Sequence, residues 1–63
     1  MNLRGYRASK NLSQKDCGDA IGTTREGYRM KEIGKSKFSL EQAIILANLF
    51  GITIEEFYQA TKS

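Results

Sequence analysis

Sixty-three residues (7.1 kDa) suffice for one domain, residues 1–63, and no second one. One cysteine, Cys17, and no histidine exclude an internal disulfide, a Cys/His metal site and the usual nucleophile–base pairs, so neither an enzyme nor a cofactor is expected. The net charge of +3 is unevenly spread: residues 1–37 hold nine Lys or Arg against Asp16, Asp19, Glu26 and Glu32, whereas residues 38–63 hold Lys62 against Glu41, Glu55 and Glu56. Such a cationic half suits a polyanion such as nucleic acid, less often an acidic membrane surface, and otherwise is a solvated charged face.

The absence of proline and the helical spacing of apolar residues predict an all-α domain of five short helices. Leu3, Tyr6 and Lys10, with Arg4 and Arg7 beside them, form the first helix, which stops near Asn11, a residue that tolerates the left-handed conformation. Ser13 is an N-cap with Asp16 as its capping-box partner, and the second helix runs from Gln14 to about Ala20, turns Cys17 and Ile21 inward and ends at Gly22. Thr23 to Glu26 matches a second capping box, opening a third helix that reaches Ile33 and stops at Gly34. A basic loop, Lys35 to Phe38, leads to a third box, Ser39 to Gln42. The fourth helix then carries Leu40, Ala43, Ile44, Ala47 and Phe50 on one face until Gly51. Because Ile45, Leu46 and Leu49 make it apolar almost all round, this helix is expected to be buried on most sides at the centre of the domain. A fourth box, Thr53 to Glu56, opens the last helix with Ile54, Phe57 and Tyr58.

Between Gln14 and Ile33 the intervals are specific. Two helices that meet at a fixed angle need a small residue at the contact, a turn glycine and an inward apolar set. Gly18, Gly22 and the trio Cys17, Ile21 and Tyr28 supply these, although an ordinary helical hairpin would use the same residues. Leu12-Ser13-Gln14, Gly22-Thr23-Thr24, Lys31 to Ser36 and Phe50-Gly51-Ile52-Thr53, followed by Glu55-Glu56-Phe57, resemble the lambda-repressor-like helix-turn-helix family of phage Cro proteins and small bacterial regulators. The resemblance covers about residues 3–58. It implies a Cro-like repressor of transcription whose third helix enters the major groove of an operator in double-stranded DNA, while Gln14 touches a phosphate. It also implies a structural ion pair between Arg7 and Glu32.

Helical geometry independently selects the outer ridge of the third helix. With Tyr28 inward, Glu26 and Met30 point away, Arg29 and Ile33 flank them, and Thr24 and Arg25 sit at the tip. The candidate base-reading set is thus Thr24, Arg25, Glu26, Arg29 and Met30: Arg25 suits guanine O6 and N7, Glu26 cytosine N4, and Met30 a thymine methyl. The phosphate-binding set is Gln14, Lys15, Lys35, Ser36 and Lys37, with Arg29 as a further member. A single module reads few bases, so a homodimer on a palindrome is expected, with Ile45, Ile54 and Tyr58 as interface candidates and Phe57 in the monomer core.

Three positions depart from the family habit. Gly27 lies inside the third helix, at a cost of about 1 kcal/mol relative to Ala, Ile33 replaces a polar residue, and Lys31 occupies a place that is often apolar. They motivate an alternative in which the frame binds a partner regulator protein through Met30, Ile33 and Tyr28. The longest apolar run, Ala43 to Ala47, is far short of the ~20 residues that span a bilayer, and no signal-peptide core follows Arg4 and Arg7, so no membrane partner and a cytoplasmic location are expected. Gly34-Lys35-Ser36 imitates the end of a P-loop, but Arg29 stands where its first glycine belongs.

Overall fold

In the computed structural model, which describes residues 1–62, the chain forms helices α1 (Leu3–Ser9), α2 (Gln14–Ile21), α3 (Arg25–Glu32), α4 (Leu40–Phe50) and α5 (Ile54–Thr61). The described residues are all-α, in the predicted order. Local side-chain chemistry sets each start. Asn2, Ser13, Thr24, Ser39 and Thr53 each accept a hydrogen bond from a backbone N–H in the first turn, and Asp16, Gln42 and Glu56 return the bond in three reciprocal boxes.

The start of α3 differs from the expectation by one residue. Its cap is Thr24, whose Oγ1 accepts from the Gly27 amide at 3.0 Å, and no reciprocal box forms. Thr23 could not have formed the reciprocal box, because its own N–H already donates to the Gly18 carbonyl at 2.9 Å, closing α2. That bond belongs to a pattern used at four helix ends. In each of α1 to α4 a residue one or two places past the helix has positive φ (Asn11, Gly22, Gly34 and Gly51, 58–87°), and two crossed N–H···O bonds tie the chain there back to the last turn. These are Schellman stops, which glycine makes at least steric cost and asparagine tolerates.

The core gathers Leu3, Cys17, Tyr28, Ala43, Leu46, Ala47, Phe50, Phe57 and Ala60. Phe38, from the loop before α4, lies between Tyr28 and Phe57 at ring separations of 6.2 and 5.2 Å, so the loop is stapled to the core by an aromatic plug. Lys31 explains its unusual position by covering this plug. Its half-buried stem crosses the Phe38 ring and its ammonium donates to the Lys37 carbonyl at 2.8 Å.

The position of α4 corrects the sequence reading. Ala43, Leu46, Ala47 and Phe50 are buried, but Leu40 and Ile44 are 60% and 46% exposed, and Ile45 and Leu49 also reach solvent. The helix packs against α2 and α5 on one side only, because four short neighbours cannot surround it. Of the predicted inward residues of α2 and α3, Cys17 and Tyr28 are fully buried and Ile21 is half-buried.

Candidate nucleic-acid interface

α2 and α3 meet at Gly18. A β-carbon there would lie 2.8 Å from the Thr24 carbonyl oxygen and 3.1 Å from that of Thr23, so only glycine lets the start of α3 approach α2 this closely. Gly22, at φ 76°, makes the turn. These two residues carry the wedge that the sequence intervals suggested, and α3 leaves it with one side buried through Tyr28 and the other in solvent.

Along the exposed side, Thr24, Arg25 and Glu26 are open at the tip, while Arg29 and Met30 are half-buried and Ile33 is 51% exposed. Met30 is partly covered by its neighbour, the Arg29 guanidinium lying 3.8 Å from its sulfur. Glu26 and Arg29 form a two-bond ion pair, with Arg29 Nε and Nη2 donating to the carboxylate at 2.9 and 2.8 Å. Arg29 thereby holds the Glu26 carboxyl below the usual carboxylate range, and Glu26 is not a free acceptor in the unbound chain. These bonds engage Nε and Nη2 of the guanidinium.

The N-terminus of α2 lies beside the tip of α3. Arg7, Ser13, Gln14, Lys15 and Arg25 line one shallow concavity, so two helix starts and three cationic side chains surround a single depression. Gln14 sits there with its side-chain amide donating to Glu32 at 3.3 Å, which makes it a brace of the fold as well as a member of the rim. Lys15 pairs with Asp19 at 3.0 Å in full solvent, a contact worth under about 1 kcal/mol that yields readily to a phosphate. Lys35, Ser36 and Lys37 are exposed in the loop after α3, where the Lys35 and Ser36 amides are tied to the Met30 carbonyl at 2.9 and 3.2 Å. The loop therefore has a set shape and presents its ammonium groups from a fixed backbone.

Behind this surface, Arg7 Nε and Nη2 donate to the two Glu32 oxygens at 2.9 and 3.3 Å, and Nη1 donates to the Leu12 carbonyl at 2.9 Å. The side chains of the pair are only 14% and 5% exposed. Burial alone would raise the Glu32 carboxyl, but its hydrogen bonds, led by those from Arg7, and the Arg7 charge together hold the group below its ordinary value. The pair joins α1 to the end of α3.

Among the candidates for protein contact, Tyr28 is wholly enclosed and cannot belong to an outer surface. Ile54 is half-buried and packed on the core, whereas Ile45 and Tyr58 are 36% and 47% exposed. Sequence reasoning did not anticipate the Glu26–Arg29 pair. The three-residue spacing of opposite charges was its available signal.

No helix among the described residues is long and apolar enough to cross a membrane, and no group of side chains among them could hold a metal ion. Residues 3–57 match the family model described as Helix-turn-helix. The chain is 36% identical over 59 residues to YonR of Bacillus subtilis (strain 168), an SPbeta prophage-derived uncharacterized HTH-type transcriptional regulator, and the match covers 94% of this chain and 55% of that protein. It is 38% identical over 56 residues to an uncharacterized HTH-type transcriptional regulator of Methanocaldococcus jannaschii, covering 89% and 85% of the two chains. The chain thus spans about half the length of the first of these relatives. No solved structure gives a significant match. A Gly-wedged helix pair over residues 14–32 and a family match over nearly the whole chain lead to one assignment: this chain belongs to the helix-turn-helix family, and both relatives named here are HTH-type transcriptional regulators.

Proposed function

We propose that the chain is a sequence-specific, Cro-like repressor that seats α3 in the major groove of a palindromic operator as a homodimer. The observation that carries the reading is the cationic depression shared by the N-termini of α2 and α3. A helix N-terminus offers unpaired amides and a partial positive charge to a phosphate, and here Lys15 and Arg25 add full charges beside it. With the α2 end held on the DNA backbone, the exposed tip of α3 faces base edges, where Thr24 and Arg25 lead and Arg29 follows. Lys35, Ser36 and Lys37 meet the backbone on the far side of the groove. A twofold pair with half-sites about 34 Å apart supplies the base contacts one module lacks.

Selection from random duplexes at about 0.15 M salt tests this reading. A palindrome should be enriched, and log affinity should fall steeply with log salt concentration. Arg25→Ala should cost about 1–3 kcal/mol and relax preference at one base position, because a bidentate guanine contact is lost. Absence of enrichment, with a salt slope near zero, overturns the proposal. The rival reading, a partner regulator bound in place of DNA through Met30, Ile33 and Tyr28, has less support because Tyr28 is buried.

A further inference from the structure

α4 presents to solvent a face that is complementary to itself. On steps of ~100° per residue, Glu41 and Asn48 lie on one line down the exposed side; Ile44 and Ile45 stand about 50° to either side, and Leu40 and Leu49 about 90°. All six are exposed, and the buried set Ala43, Leu46, Ala47 and Phe50 occupies the opposite side. The order along the helix is the same in kind from either end: leucine, polar residue, isoleucine, isoleucine, polar residue, leucine. A twofold interface requires this property, because one patch must fit its own copy.

We propose that α4 packs antiparallel against α4 of a second copy of this chain, about a twofold axis midway between Ile44 and Ile45. In that register Glu41 faces Asn48 of the second copy at both ends, where the amide donates to the carboxylate. The Ile44 side chains meet one another beside the axis, as do the Ile45 side chains, and Leu40 and Leu49 close the edges. A parallel arrangement would instead oppose the two Glu41 carboxylates. The avoided Glu41–Glu41 repulsion, the amide–carboxylate hydrogen bonds and four exposed aliphatic residues therefore select a second copy in one orientation. An eleven-residue helix is about 16 Å long and covers less than the ~800 Å² per partner of a standard interface, so the free dimer is weak and forms at micromolar or higher concentration.

This deepens the homodimer of the preceding reading and rests on it, but the test uses the free 63-residue chain, so DNA recognition through another dimer remains separately measurable by duplex selection. Sedimentation equilibrium up to the several-hundred-micromolar range should give a reversible monomer–dimer curve. Asn48→Glu, which adds a carboxylate opposite Glu41, should weaken dimerisation about tenfold, and adding Glu41→Lys to it should restore the wild-type curve. Asn48→Lys alone should strengthen dimerisation severalfold, a gain that an unfolded variant cannot produce. Circular dichroism confirms folding of each variant. A monomer at every concentration, or a dimer indifferent to all three variants, overturns the proposal.

Discussion

Tyr28 is the largest fully enclosed side chain of the domain, and its buried hydroxyl has no hydrogen-bond partner among the described residues. Burial, with Glu32 and the Cys17 thiol nearby, pushes its ionisation far above the ordinary phenol value, so the ring acts as a neutral filler that orients α3. An unpaired buried hydroxyl contributes little beyond its volume. Tyr28→Phe should leave stability unchanged or raise it by up to about 1 kcal/mol in urea unfolding. A clear loss would mean that the hydroxyl bonds to Glu32 in solution. Burial likewise pushes up the Cys17 thiol, which leaves it an inert small core residue. The inward direction of both residues was legible from spacing alone. The unsatisfied oxygen was not, because what surrounds it is decided only when α2 and α3 pack.

The contact between α2 and α3 depends on the missing side chain at Gly18. Unlike a clash with the end of a flexible side chain, the contacts a β-carbon would make are with backbone oxygens of Thr23 and Thr24, which can move only if α3 moves. Gly18→Ala should therefore cost about 2 kcal/mol in urea unfolding and, in the folded fraction, weaken operator binding by tilting the reading helix. Gly27 has a different explanation: a β-carbon there would meet Thr23 Oγ1, so the glycine that weakens α3 also accommodates the residue that closes α2. Helix starts at Ser13, Ser39 and Thr53 could be read in advance because their caps involve four consecutive residues. Thr23 was misread because its amide was committed to the preceding helix, and two adjacent threonines offer the pattern equally well until that bond is known.

A chain of this length commands only about 3–9 kcal/mol of net stability, so the clip between Arg7 and Glu32 matters to the whole molecule. Removing one member leaves the other buried without its charge partner, and Glu32→Gln should cost on the order of 3 kcal/mol at neutral pH. A carboxylate held below its ordinary value contributes stability that is complete above that value and is lost as pH falls through the folded one. Wild-type stability should accordingly fall below about pH 4.5, and Glu32→Gln should show a shallower fall, as read from urea midpoints at neutral and acid pH. The sequence by itself determined the all-helical architecture, the stops of the first four helices and the position of the wedge, because capping, left-handed turns and apolar spacing act within a few residues. Tertiary structure decided the pairing of Glu26 with Arg29, the brace from Gln14 to Glu32 and the open side of α4. Those outcomes depend on which helices pack together and on how much surface so few residues can cover.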